Sequence, residues 1–279
     1  MVWPAMTGLD LQILGPALIA GLLVLAIHVP LGIIVLDRGI IFIDIALAQV
    51  AATGVVFGKL MWGDINTWVI QASAIGTALL CAALLVWTDR RFAEVQEAII
   101  GAVYVTAAAV QLMLLSYNPS GAEFLKQLLI GQILWVSPLQ LVIVGLVYAV
   151  ALVIWFYRDL SRERALFYFV FAVVITISVQ IVGILLVFAS LIIPALATRA
   201  APRRWRLMIA FNVGVAGYLT GLVISALFNT PTGAATVCAL VPVALLAWML
   251  IRRRHDQAAE GGVDPETTMA PSMRPEVTE

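Results

Sequence analysis

Long apolar runs separated by short polar segments make up most of the chain. A helix needs about 20 apolar residues to cross a bilayer, and runs of that size recur along the sequence. They predict membrane-spanning helices at 13–36, 39–58, 67–88, 95–117, 137–157, 165–181, 183–198, 207–228 and 232–251. We therefore predict an all-α, polytopic integral membrane helix bundle of about nine spans.

Two stretches of this pattern allow more than one reading. The charge-free stretch Ala165–Thr198 is only just long enough for two crossings joined by a tight turn near Gln180 and Gly183. A single kinked excursion into the membrane is the alternative, and it would reduce the bundle to seven spans. Gly121–Trp135 is apolar but too short to span, so we expect a re-entrant or interfacial helix there.

Composition supports a membrane protein. The chain is 63% apolar and 11% charged, against roughly 25% charged residues in soluble proteins. Its formal net charge is zero, which gives no indication of a nucleic-acid partner. We divide the chain into a short extracytoplasmic amino terminus at 1–12, a transmembrane domain at 13–251 and a tail at 252–279. The tail is polar, acidic and rich in proline, so we expect it to be disordered and cytoplasmic.

The distribution of basic residues predicts the orientation. With nine crossings and the amino terminus outside, every Lys and Arg except Lys59 and Lys126 falls in a cytoplasmic segment. Basic residues are retained on the cytoplasmic side of membrane proteins. We therefore predict the amino terminus outside and the carboxyl terminus inside.

Few polar side chains interrupt the predicted spans, and these are the candidates for chemistry. Asp44 lies inside an apolar run, where an ionised carboxylate costs at least about 2.5 to 3.5 kcal/mol at the helix centre. Gln49 follows on the same helix, His28 lies in the first span and Gln180 precedes the predicted turn. We assign these four residues to a translocation path. The structural alternatives are helix capping for Asp44, interhelical hydrogen bonding for Gln49 and packing for His28.

The sequence contains none of the motifs HExxH, GxSxG or GxxxxGK[ST]. We therefore expect a transport or channel subunit rather than an enzyme, with any ATP hydrolysis on a separate chain.

Four segments follow a recognisable pattern in consistent order within residues 15–250. They are Arg38 followed by ALAQVA at 46–51, EAIIG at 97–101, GQILWVS at 131–137 and VGILLVFASLIIPALA at 182–197. These segments resemble the motifs of the membrane permeases of bacterial ABC importers for zinc, manganese and iron, and the last is the most specific. Two positions depart from that pattern. Gln49 replaces the histidine of an SHA motif and Gln132 replaces the aspartate of GDLL, although imidazole suits zinc and iron better than an amide does.

The resemblance implies import of a divalent transition-metal ion, with no permanently bound cofactor. It also implies as partners a cytoplasmic ABC ATPase, an extracytoplasmic metal-binding protein and a second copy or a related permease, in contact with membrane lipid. The segment YRDLSRERA at 157–165 is then expected to contact the ATPase through Arg158, Arg162, Glu163 and Arg164. A plain positive-inside loop is the alternative for that segment. For the whole chain, the alternatives are an ATPase-independent channel or proton-coupled carrier and a structural membrane scaffold.

Overall fold

The computed structural model describes residues 11–63, 67–116, 121–158, 160 and 162–260. The described part of the chain is helical, with no β-strand. Its ten α-helices are α1 Leu11–Arg38, α2 Ile43–Trp62, α3 Thr67–Arg91, α4 Gln96–Leu115, α5 Gly121–Ile130, α6 Pro138–Tyr157, α7 Arg164–Val182, α8 Ile184–Ala197, α9 Arg203–Phe228 and α10 Thr232–Glu260. The prediction of an all-α membrane bundle is confirmed.

Eight of these helices are long and apolar enough to cross a membrane. The two exceptions are α5, with 10 residues, and α8, whose 14 residues extend only about 21 Å at 1.5 Å per residue. The bundle therefore has eight candidate spans and one shorter apolar helix in place of nine full spans, within the predicted range of seven to nine. The helix α10 continues to Glu260. The helix of the last span therefore extends beyond the predicted tail boundary at 252. Residues 261–279, which hold the rest of the predicted tail, and residues 1–10 lie outside the described residues.

Ion pairs show that several helix ends meet at one end of the bundle. Arg206 at the start of α9 contacts Asp37 at the end of α1, with 2.9 Å between Nη1 and Oδ1. Arg164 at the start of α7 contacts Asp89 at the end of α3 at 3.2 Å. We call this the basic end. Since α7 and α9 both start there, the chain between them must travel away and return.

The return occurs at Gly183, where α7 stops and α8 begins. Gly183 has φ +82° and ψ 160°, a conformation that is essentially restricted to glycine. The backbone of Gly131, which follows α5, lies against this corner, and Gln132 N donates to Ile181 O at 3.0 Å. A Cβ atom on Gly183 would lie 2.4 Å from Gly131 N. The described chain thus forms two helices across 165–198, and α5 is the short helix expected between α4 and α6.

Burial divides the helices into inner and outer sets. In α1, α2 and α7, about two-thirds of the most apolar window is buried, against 17% in α4 and in α6. The outer helices expose apolar side chains such as Met113, Leu139 and Phe156. Such an apolar surface is compatible with contact to lipid, because burying apolar side chains between helices gives no hydrophobic stabilisation inside a membrane.

Candidate functional site

Asp44 lies in the first turn of α2 and is fully buried. Its Oδ1 accepts a hydrogen bond from the backbone N–H of Ile45 at 2.8 Å, while Oδ2 has no hydrogen-bond partner among the described residues. A carboxylate at this position interacts favourably with the amino-terminal end of the helix dipole. The structure thus supports the capping interpretation for one oxygen of Asp44 and leaves the other oxygen available.

A second carboxylate reaches the same end of α2. Glu97 in the first turn of α4 accepts a hydrogen bond through Oε1 from the backbone N–H of Phe42 at 3.1 Å. Its Oε2 is buried without a partner in the described structure. Arg38, at the end of α1, contacts two other residues at the basic end. Its Nη2 donates to Leu160 O at 2.6 Å, and its guanidinium carbon lies 4.4 Å from the ring centroid of Phe167. Two carboxyl groups therefore lie at the start of α2, each with one buried oxygen that has no hydrogen-bond partner among the described residues.

His28 lies in the centre of a buried hydrogen-bond network. Its Nδ1 is 2.8 Å from Ser190 Oγ on α8, and its Nε2 is 2.8 Å from Ser178 Oγ on α7. Ser178 Oγ is in turn 2.6 Å from the hydroxyl of Tyr148 on α6. Both ring nitrogens are therefore occupied by hydroxyl groups, and the arrangement favours the packing interpretation for His28 over a metal ligand.

Gln49 and Gln180 each pair with another glutamine. Gln49 Nε2 on α2 donates to Gln111 Oε1 on α4, and both side chains are buried. Gln180 Oε1 on α7 accepts from Gln71 Nε2 on α3. Side-chain hydrogen bonds between membrane helices of this kind are worth about 0.6 kcal/mol on average. The first pair links α2 to α4, as the structural alternative for Gln49 predicted, and the second links α7 to α3.

The four predicted path residues do not come together. Each has its own hydrogen-bond partners and shares none with the other three. Within the described ranges, no group of three or more His, Cys, Asp and Glu side chains is placed to hold a metal ion. Of the four, Asp44 has a buried oxygen without a partner in this part of the structure.

Sequence reasoning missed two polar residues that take part in these hydrogen bonds, Tyr148 and Gln71, and a third buried polar residue, Tyr218. Tyr218 on α9 is also fully buried, and its hydroxyl has no hydrogen-bond partner among the described residues. The available signal was a polar side chain inside an apolar span, the same signal that identified Gln180. Tyrosine is common in membrane helices for other reasons, which is why this signal was weak.

The predicted coupling segment lies at the basic end. Arg158 and Glu163 form a two-pronged ion pair, with distances of 2.8 and 3.0 Å, and the bond to Glu163 raises the pKa of Arg158. Arg164 contacts Asp89. Arg162 belongs to the same exposed segment. The described residues between α6 and α7 form a bend and turns and no helix.

The fold and this arrangement define a polytopic helical membrane protein with buried polar pairs between its inner helices. The sequence profile of the ABC 3 transport family matches residues 10–165 and 160–251. The chain belongs to this family, which confirms the resemblance to metal-type ABC permeases and identifies a membrane subunit that is not itself an enzyme.

Similar proteins share most of their length with this chain. It is 22% identical over 247 residues to the high-affinity zinc uptake system membrane protein ZnuB of Haemophilus influenzae, covering 81% of this chain and 93% of ZnuB. It is 26% identical over 255 residues to the manganese transport system membrane protein MntC of Listeria innocua, covering 84% and 89%. Among solved structures, PsaBC from Streptococcus pneumoniae in complex with Fab matches with a TM-score of 0.68 and 20% identity, covering 86% of this chain and 92% of that chain.

Proposed function

We propose that this chain is the permease subunit of an ABC importer that moves a divalent transition-metal ion, zinc, manganese or iron, into the cytoplasm. The observation that carries the proposal is the similarity to a zinc and a manganese permease over more than four-fifths of the chain. The importer requires a cytoplasmic ATPase, an extracytoplasmic metal-binding protein and a second permease. In this arrangement the basic end faces the cytoplasm of a bacterium and the chain lies in the inner membrane.

Asp44 is the residue we propose for contact with the ion. A cation that passes between low-dielectric helices loses hydration, and a nearby carboxylate offsets part of that cost. The unpartnered Oδ2 of Asp44 is available for this role. Gln49, His28 and Gln180 are each engaged in hydrogen bonds to other helices, so we place them as supports of the path.

The variant Asp44→Asn tests this assignment. Asparagine keeps the Oδ1 acceptor for Ile45 N–H and has nearly the same volume, so thermal stability of the purified protein should not fall. Metal uptake, normalised to the amount of permease in the membrane, should fall about tenfold or more, which corresponds to a loss of about 1.4 kcal/mol. Asp37→Asn is the matched control, because Asp37 lies at the same end in an exposed ion pair of the kind that contributes little.

Normal uptake by a normally expressed Asp44→Asn protein contradicts the site assignment. It is also the outcome expected of a structural scaffold. A joint loss of stability and uptake assigns Asp44 a structural role instead of contact with the ion.

We also propose that 158–164 contacts the ATPase. Arg158, Arg162 and Arg164 are exposed there. Arg164 contacts Asp89, and Arg38 donates to Leu160 O. Arg162→Ala with Arg164→Ala should reduce copurification of the ATPase or uncouple its hydrolysis from transport. Arg203→Ala with Arg204→Ala, at the start of α9 on the same end, is the comparison variant. If only the comparison variant loses the ATPase, the contact lies between α8 and α9.

Uptake without any ATPase in proteoliposomes would favour a channel or proton-coupled carrier.

A further inference from the structure

A groove of about 620 Å³ opens between α8 and α10 toward the surface of the bundle. Its walls are almost entirely apolar. They consist of Ile193, Leu196, Ala197, Ala200, Val241, Ala244, Leu245 and Trp248, together with Arg199. Volumes of 300 to 1,000 Å³ are typical of sites for small ligands.

The groove exists because α8 ends early. The chain leaves α8 at Ala197, whereas α10 continues along the same direction to Glu260. The side chains Leu196 and Leu245 line the groove and remain 51% and 52% exposed. They lie on the surface of a helix bundle whose solvent is lipid, so an acyl chain can lie against them.

Positive charge is placed where the groove meets the basic end. Arg199 is part of the lining and is exposed. Arg252 lies one turn of α10 beyond Trp248, with its guanidinium carbon 5.4 Å from the ring centroid of Trp248. A tryptophan at this depth is typical of the boundary between acyl chains and head groups. The groove therefore combines apolar walls with one lining guanidinium group, that of Arg199, and a second, that of Arg252, beside the lining residue Trp248.

Two other grooves of the described structure differ in this respect. One lies between α1, α6 and α9 and the other between α2, α3 and α4, and neither includes Lys or Arg among its lining residues. An apolar groove on this bundle thus does not always have a basic residue in its lining, and the groove between α8 and α10 does.

We propose that the groove between α8 and α10 binds an anionic phospholipid. The phosphate lies between Arg199 and Arg252, since guanidinium groups bind phosphate oxygens through paired hydrogen bonds. One acyl chain lies along Leu196, Val241 and Leu245. Basic pockets between membrane helices on the cytoplasmic side are known to take anionic head groups. The site is separate from Asp44, so its test does not depend on the transported ion.

Native mass spectrometry of the purified chain in detergent tests the proposal. The protein is equilibrated with equal amounts of phosphatidylglycerol and phosphatidylethanolamine, and the ratio of the two bound lipids is measured. The wild type should retain phosphatidylglycerol in preference. Arg199→Gln with Arg252→Gln should lower that ratio about tenfold or more, given an attraction of about 1 kcal/mol for each basic residue near an anionic head group.

Two further variants keep the test specific. Leu245→Trp fills the groove from an exposed position without changing charge, and it should reduce the total amount of bound lipid. Arg90→Gln with Arg91→Gln removes two exposed arginines at the end of α3, away from the groove, and should leave the ratio unchanged. An equal loss of preference in that control shows a diffuse charge effect and overturns the proposal. Unchanged lipid binding in Leu245→Trp also overturns it, and a change of oligomeric state in that variant without a change in bound lipid assigns the groove to a second copy of the chain.

Discussion

Replacing Gly183 by alanine should strongly destabilise the bundle. Alanine at φ +82° and ψ 160° enters a region that costs about 1 to 3 kcal/mol for a residue with a Cβ. The new Cβ would lie 2.4 Å from Gly131 N and 2.5 Å from Ile130 C, so the two backbones must separate. Overpacking of this kind costs about 1 to 3 kcal/mol. We expect Gly183→Ala to lower the free energy of unfolding by about 2 to 6 kcal/mol.

The measurement is reversible unfolding of the purified protein in mixed micelles, with thermal unfolding as a second readout. Gly76→Ala is the matched control, because Gly76 lies within α3 and no atom would lie within 4 Å of its new Cβ. Alanine there should be neutral or stabilising by up to about 1 kcal/mol, since it is the better helix former. Equal stability of the two variants would refute the account of the corner between α7 and α8.

Two further predictions concern the core and the orientation. His28→Leu and Ser178→Ala should each lower the free energy of unfolding. The double variant should lose less than the sum of the two losses, with a coupling energy of about 0.6 and at most about 1.7 kcal/mol. Thr220→Ala, which removes an exposed hydroxyl bonded to Ala216 O, should show no coupling to His28→Leu. Reporter fusions after Asp10 and after Arg158 should report opposite compartments, the first extracytoplasmic and the second cytoplasmic, and a common compartment for both would contradict the proposed topology.

Much of the fold could be predicted because it depends on local length and polarity. An apolar run of about 20 residues has few stable alternatives to a helix in a membrane, and the predicted spans 67–88, 137–157 and 165–181 agree with α3, α6 and α7 within three residues at each end. The bounds predicted for α8, 183–198, agree within one residue. The sequence could not decide whether 165–198 holds two helices, since the helix end at Gly183 depends on its contact with Gly131, more than 50 positions earlier in the chain. The end of α8 at Ala197 likewise follows from the return of the chain to the basic end.

The candidate site was less predictable because partners decide what a polar side chain does. The sequence marks His28, Gln49 and Gln180 as polar residues in apolar spans, but their partners Ser178, Gln111 and Gln71 lie on other helices. Neither helical periodicity nor spacing specifies which of these helices will be neighbours. The sequence could therefore identify these three residues as candidates for a translocation path, but not the helices to which their side chains bind.

The pairing of Gln49 with Gln111 gives a physical reason for an amide at the position where the resemblance expected imidazole. A carboxamide both donates and accepts hydrogen bonds, so two of them can bind each other between α2 and α4 in a medium without water. This contact uses Gln49 as a donor to Gln111 and does not require a bound ion. Asp44 differs, since an anionic oxygen can only accept and its Oδ2 has no donor among the described residues. On the proposed function, we expect an ion that passes this part of the bundle to be attracted to the carboxylate at the start of α2, so Asp44→Asn, rather than a change at Gln49, should separate transport from stability.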